Sequence, residues 1–315
     1  MSLIDGEPTR NLVLVHSQEW QDAADFLAIK AIVEETAPDI EVLVASNDIR
    51  SSLTRKRAAA RPTLVFSPIR LLEFKPERGK IYQGQPMSKL TEMRRLADAG
   101  LPVPKFEEIR PDTRLSPEDY GPYVVVKASH AFASWGQGIE LRRTGEVRYR
   151  APEDYPEGHP GREAPMVAQK FIDCGKPMTC RVLTLFGATI FTYCRESIRA
   201  LALDPAQPVY EPDDFLPTPP HRQVSSRRDP DMLALAAAAY RAMPDVALQA
   251  CDILRDADGG LHLLEINPGG GTWMLSSYQA DDFRKALGVT DLAAQFDAFR
   301  VCARELIART RAEAV

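Results

Sequence analysis

"CDILRDADGGLHLLEINPGGG", residues 251 to 271, has the pattern of a strand, a tight turn and a second strand that runs into a glycine cluster. Asp258-Gly259 is a preferred central pair for a two-residue type I′ turn, because both central positions need positive φ and these residues tolerate it. With that turn, Leu254 faces Leu263, Asp252 faces Glu265 and Ala250 faces Asn267, and Glu265 and Asn267 share one face. Two carboxylates then stand opposite each other beside leucines, where ionised acids are costly without compensation. A cation is expected between them. A lysine or arginine could supply it, but three oxygen donors converging at a strand end, with room for water, suit Mg²⁺ better. The bland alternative is a surface hairpin whose acids face solvent.

The chain of 315 residues, 44% hydrophobic and 26% charged, is long enough for two or three sub-domains and lies outside the disordered and collagen-like classes. A net charge of −5, with both signs interspersed, leaves no electrostatic footprint for nucleic acid. The cysteines, Cys174, Cys180, Cys194, Cys251 and Cys302, form no C-x-x-C pair and lie in or beside apolar runs, the pattern of buried thiols in a reducing compartment. The opening "MSLIDGEPTRNLVLVHS" carries no long apolar core of a secretion signal, and no stretch approaches the ~20 apolar residues of a membrane span. The expectation is a cytoplasmic protein without a membrane or nucleic-acid partner.

Strand-like runs "NLVLVHS" (11 to 17), "EVLVAS" (41 to 46) and "TLVFSP" (63 to 68) alternate with an amphipathic run from Trp20 to Glu35 and a basic helix-like stretch near 50 to 60. That order suggests a small parallel α/β layer over residues 1–85, without the G-x-G-x-x-G of dinucleotide binding. In "SKLTEMRRLADAGLPVPKF", Leu90, Met93, Leu96 and Ala97 recur at helical spacing, Ser88 can cap the start, and Gly100 with Pro102 ends the helix. A second region, 86–177, holds "YVVVKASHAFASWGQGIELRR" and "APMVAQKFI". A third, 178–315, holds "TCRVLTLFGATIFTYCRES", a helix within 231 to 242, the opening hairpin and a C-terminal helix from about 290. Within the third lies a stretch with seven prolines between 205 and 230 and little periodicity, which reads as a long loop of the kind that forms lids.

Lys127 ends the strand Tyr123 to Val126, on the face of Tyr123 and Val125, and a small-residue loop follows. A lysine at the mouth of a buried strand needs an anion, and small residues let backbone N–H groups approach phosphate oxygens. A snorkelling strand-end lysine is the plain alternative. No G-x-x-x-x-G-K-[ST], H-E-x-x-H or G-x-S-x-G occurs, and the five histidines, His130, His159 and His221 among them, have no repeated spacing, so a P-loop, a zinc site and a serine triad all lack support.

Taken in order, a lysine at a helix start ("SKLTEMRRLADAG"), a strand-end lysine with a small-residue loop ("YVVVKASHAFASWGQGI"), "MVAQKFI", the paired "CRVLTLFGATIFTYCRES" and D…E-x-N in the hairpin resemble the ATP-grasp superfamily over about 85 to 280. The likeness is to its carboxylate-amine ligases, such as the D-alanine-D-alanine ligase and ribosomal-protein glutamate ligase families. The resemblance implies an α/β fold: a Rossmann-like N-terminal layer, then two α+β sub-domains clamping ATP. It implies that Lys89 and Lys127 hold the α- and β-phosphates, and that the 129 to 138 loop, with Ser134 and Gly136, folds over the triphosphate. Main-chain groups of Gln169, Lys170, Phe171 and Ile172 would hold the adenine edge, with Asp173 near the ribose although Cys174 takes the commoner place. Arg195, and less directly Arg181, would meet the γ-phosphate or the substrate. Asp252, Glu265 and Asn267 match the ligands of one or two Mg²⁺, with Mn²⁺ as a substitute. The glycines of "EINPGGGTW" leave N–H groups at Gly269 and Gly270 free to cradle a transferred phosphoryl or an oxyanion, or else simply form a turn.

The implied activity is an ADP-forming ligase that joins a small carboxylate to an amine or thiol through an acyl phosphate. A phosphotransferase on a hydroxyl acceptor, for which the Arg222, Arg227, Arg228 cluster offers a basic patch, and a non-catalytic ATP-binding module are the rivals. Trp273, Tyr278 and Tyr210 could line a substrate pocket or belong to the core. Homodimers are common in the superfamily, and the sequence does not fix the oligomeric state.

Overall fold

The structure, a computed structural model, describes residues 7–48, 52–72, 78–129, 138–204 and 206–315. The N-terminal layer contains β1 (Arg10–His16), α1 (Ala23–Thr36), β2 (Ile40–Ser46), α2 (Ser52–Ala60), β3 (Thr63–Phe66) and β4 (Lys80–Tyr82). Its strands are parallel in the order β2-β1-β3-β4. The run of consecutive apolar residues in β1 reflects burial on both faces, as parallel strands require. Leu12 and Leu14 enter one core while Val13 and Val15 enter another. Asp22 caps α1 by accepting from the Ala24 N–H at 2.9 Å.

The chain then forms α3 (Lys89–Asp98), capped by the Ser88 hydroxyl on the Thr91 N–H and ended at Gly100, whose φ of +75° suits glycine. β5 (Phe106–Glu108), α4 (Pro117–Tyr120), β6 (Tyr123–Ala128), β7 (Glu140–Arg143) and β8 (Met166–Lys170) follow. Next come β9 (Met178–Leu185) and β10 (Ala188–Ser197), joined at Phe186 and Gly187, both at positive φ. The remainder is β11 (Val209–Tyr210), α5 (Pro212–Phe215), β12 (Arg222–Ser225), α6 (Pro230–Ala242), β13 (Leu248–Arg255), β14 (Leu261–Asn267), α7 (Ala280–Leu287) and α8 (Ala298–Glu313). One five-stranded sheet runs β11-β7-β6-β8-β5 and another β12-β10-β9-β13-β14.

Three expectations are corrected. The proline-rich stretch is not a structureless loop: β11 joins the first of these sheets through β7, and β12 joins the second through β10, so the segment ties the two together. The turn of the opening hairpin is longer than two residues, because the Asp256 carboxylate gathers the N–H groups of Asp258 and Gly260 and the His262 ring. A bulge after Asp252 offsets that change, so Asp252 still faces Glu265 and Ala250 faces Asn267, but Leu254 faces His262 and Leu263 faces Ile253. Third, the buried-thiol reading holds for Cys251 and Cys302, whereas Cys180 and Cys194, directly opposite on β9 and β10, form a disulfide. Among the described residues no helix is long and apolar enough to cross a membrane.

Candidate active site

The register of the β12-β10-β9-β13-β14 sheet writes one line of chemistry across four strands. Glu265 on β14 faces Asp252 on β13, Asp252 faces Arg181 on β9, and Arg181 faces Tyr193 on β10. Cross-strand partners point to the same side of a sheet, so these four groups stand on one face. That face floors a cavity of ≈ 1010 Å³ whose walls come from all three sheets, with Ser17 and Trp20 contributed by the N-terminal layer and Val125 and Lys127 by β6.

The cation that the facing acids require is present as three side chains. Arg181 grips Asp252 bidentately, with Nε and Nη2 each 2.6 Å from a carboxylate oxygen. Lys89, the first residue of α3, and Lys127, in β6, reach Glu265 from different elements, at 2.9 and 3.1 Å. Burial alone would push the Glu265 carboxyl up, but Lys89 and Lys127 together hold it well below the usual range. The Lys89 ammonium is likewise opposed by burial yet raised by Glu265 and Glu92. The Asn267 amide lies 3.4 Å from Asp252, so Asp252, Glu265 and Asn267 converge as expected. Two facing carboxylates and an amide are a hard-oxygen donor set of the kind that fits Mg²⁺ or Mn²⁺, and in this structure Arg181, Lys89 and Lys127 engage the four carboxylate oxygens.

Beyond this line, Val125, Ile139, Phe171, Leu201, Leu254 and Leu264 supply an apolar part of the same cavity. The Phe171 N–H bonds Tyr123 and the Lys170 N–H bonds Lys105, so both serve the sheet, while the Ile172 N–H donates to no protein acceptor among the described residues. The Gln169 side chain is buried and donates to the Leu264 carbonyl at 3.3 Å. Asp173 is exposed and turns back to accept the Gly175 N–H at 2.7 Å; Cys174, not Asp173, lines the cavity. Ser134 and Gly136 lie outside the described residues, but the loop's start is fixed, because the Ser129 hydroxyl accepts the Leu90 N–H at the beginning of α3.

The glycine cluster has a packing reason. Gly269 has φ +118°, and a Cβ there would lie 2.5 Å from the Pro68 carbonyl and 2.6 Å from Gly84 Cα. Gly270 opens a short 3₁₀ turn, Gly270–Thr272, and Gly271 faces the Trp20 ring. Of the three aromatics, only Tyr278 lines the cavity. Trp273 is fully buried, stacked 5.4 Å from Phe26 with its indole N–H on Asp25, and Tyr210 bonds the Asp204 carbonyl. The arginine cluster divides: Arg222 lines the cavity, Arg228 covers Phe296, and Arg227 is exposed.

Sequence reasoning missed Glu92, 1% exposed, which accepts the Ile266 N–H between the candidate ligands, and Tyr193. Three-residue spacing from Lys89 on one helix, and two-residue spacing from Arg195 on one strand, were the available signals.

A cleft between two antiparallel sheets, flanked by a parallel layer, is the ATP-grasp architecture, and solved structures match it. The ATP-grasp ligase PsnB complexed with minimal precursor aligns over 96% of this chain and 100% of its own, at TM-score 0.52 and 15% identity. The D-cycloserine synthetase DcsG aligns over 94% and 99%, at TM-score 0.51 and 14% identity. PsnB complexed with minimal precursor, Mg and ADP aligns over 98% and 100%, at TM-score 0.50 and 14% identity. At such identity the likeness defines the fold. No protein-family model and no curated protein matches the sequence.

Proposed function

We infer that the protein is an ADP-forming, ATP-dependent ligase that joins a carboxylate to an amine or thiol. The observation that carries this reading is the Glu265, Asp252, Arg181 line with Lys89 and Lys127 closing on it from two other elements. The ATP-grasp fold and the PsnB complex with Mg and ADP support nucleotide use at this cleft.

ATP would place its adenine in the apolar part, with the Ile172 N–H on the ring edge. Lys89 and Lys127 would exchange Glu265 for the α- and β-phosphates, and Arg181 would meet the γ-phosphate. Asp252, Glu265 and Asn267 would hold one or two Mg²⁺, with Mn²⁺ as a substitute. The bound ion would neutralise charge on the β- and γ-phosphates. In the first step a substrate carboxylate oxygen attacks the γ-phosphorus and the bond to the β-phosphate oxygen breaks, giving an acyl phosphate and ADP. The amine nitrogen or thiol sulfur then attacks the acyl carbon, phosphate leaves, and the nucleophile loses a proton. The work is positioning and charge neutralisation, so a nucleophilic side chain is not required. The amides of Gly269 and Gly270 would serve as donors to an oxyanion.

ADP release from the full chain with ATP, Mg²⁺ and a panel of carboxylates and amines tests the reading. Hydroxylamine should trap a hydroxamate only when carboxylate, ATP and Mg²⁺ are all present. A stable phosphorylated product without hydroxamate points instead to phosphotransfer. Asp252→Asn should lower turnover at least 100-fold, and an unchanged rate would remove the metal-ligand assignment.

A further inference from the structure

Besides Arg70, Lys170 and Lys176, the cavity is lined by cations of two sets. Lys89, Lys127 and Arg181 are matched to Glu265 and Asp252. Arg195 and Arg222 are not: among the described residues no carboxylate oxygen lies within 4.0 Å of either guanidinium. Both belong to the chemistry-bearing face. Tyr193 faces Arg181, Arg195 is two residues further along β10, and Arg222 on β12 faces Ser197, two further again. All three side chains line the cavity.

The arrangement is built and incomplete. The Arg195 guanidinium lies 5.1 Å from the Tyr193 ring centre and 5.7 Å from that of Phe283, which fixes its plane. Among the described residues its Nε is buried without a partner, and so is the hydroxyl of Tyr193, a residue only 1% exposed. Unpaired buried donors and neighbouring like charges both cost free energy until an acceptor arrives. Burial, and then the field of Arg195, lower the Arg222 pKa, and the opposing effects of Tyr193 and Asp282 do not offset them.

Position sets this pair beside the triphosphate. The sheet order β12-β10-β9-β13-β14 puts Arg195 one strand and Arg222 two strands beyond Arg181, the residue assigned above to the γ-phosphate, about 5 and 10 Å from strand to strand at ~4.8 Å each, and both are also displaced along the strands from the Arg181 and Tyr193 pair. An anion held by both would therefore lie beside the γ-phosphate position, on the side away from Asp252 and Glu265. The geometry points to a subsite, formed by Arg195, Arg222 and the Tyr193 hydroxyl, for a second carboxylate of the substrate. The substrate is thus a small dicarboxylate, such as an acidic amino acid. One carboxylate is anchored on the arginine pair and the other faces the γ-phosphate. This rests on the ligase reading above, and gives Arg195 to the substrate rather than to ATP. Planar bidentate recognition is what guanidinium offers a carboxylate.

The test is calorimetric titration of the full chain, with Mg²⁺ and a non-hydrolysable ATP analogue present. The titrants are succinate, glutarate, adipate and L-glutamate, each against its monoamide. At least one diacid should bind tenfold or more tighter than its monoamide. Arg222→Gln should reduce that preference below threefold while analogue affinity stays within twofold, and Arg222→Lys should retain part of it. Tyr193→Phe, which keeps the ring under Arg195, should narrow the preference by a smaller factor and gives a second probe should Arg222→Gln misfold. Equal binding of diacids and monoamides, no binding of either, or a preference that survives Arg222→Gln overturns the subsite. Analogue binding without diacid preference leaves the ligase reading standing, whereas absence of analogue binding removes the reading on which both depend.

Discussion

Glu92 shows how one buried side chain can couple the cleft to pH. Burial pushes its carboxyl up to about 8, with Lys89 opposing and Glu265 adding to the rise. The folded state therefore binds this proton more tightly than the unfolded chain, where the group titrates near 4.5. Its stabilising contribution is complete below about pH 4.5, declines as pH rises, and is lost above about pH 8. The ligand-free, chelator-treated protein should lose stability across that window, on the order of a few kcal/mol. Glu92→Gln, which still accepts the Ile266 N–H, should flatten the profile; urea midpoints at several pH values check this. At this scale Asp252, Glu265 and Asn267 were legible because cross-strand register is local to one hairpin. The role of Glu92 was not, because its partner Ile266 is 174 residues away.

Among the elements, the hairpin teaches the most. A dipeptide turn rule gave the correct pairing at the functional end and an incorrect one at the tip, because the Asp256 loop and the bulge after Asp252 cancel beyond that point. Where β14 ends, the Gln85 N–H bonds the Pro268 carbonyl and Gly269 presses on Pro68 and Gly84, fixing the N-terminal layer to the candidate metal strand. Gly269→Ala combines a positive φ with backbone overlap and should cost roughly 3 kcal/mol or more. Thermal unfolding would register the loss, and weakened nucleotide binding should accompany it. An alanine variant of unchanged stability would leave the glycine without this packing reason.

On the scale of the whole molecule, the N-terminal layer and the β12-β10-β9-β13-β14 sheet share one core, in which Leu12, Phe26, Phe191, Trp273 and Leu306 are all buried. α8 bridges them, with Arg311 on Asp39 and Arg309 on the Tyr240 hydroxyl. Leu306→Ala should cost about 2–5 kcal/mol and lower the stability of both parts in a single transition, readable by denaturant unfolding. The β11-β7-β6-β8-β5 sheet buries its residues in separate clusters around Val124 and Leu141. Its amides should exchange faster than those of β9 and β13 in the free protein and slow on adding Mg²⁺ and a non-hydrolysable ATP analogue. Hydrogen exchange by mass spectrometry measures both, and uniform protection before and after addition would contradict independent motion of that sheet.

By itself the sequence determined the parallel layer, the α3 helix with its Ser88 cap, the strand pairs and the meeting of Asp252, Glu265 and Asn267. Each depends on periodicity, capping or register within a few dozen residues. Only the tertiary structure decided that Lys89 and Lys127 share Glu265, that Cys180 meets Cys194, that Trp273 is core, and that Arg222 leaves Arg227 and Arg228 to enter the cleft. Those outcomes depend on which distant elements pack together, and a charge or an aromatic ring acquires its role from neighbours that local sequence does not name.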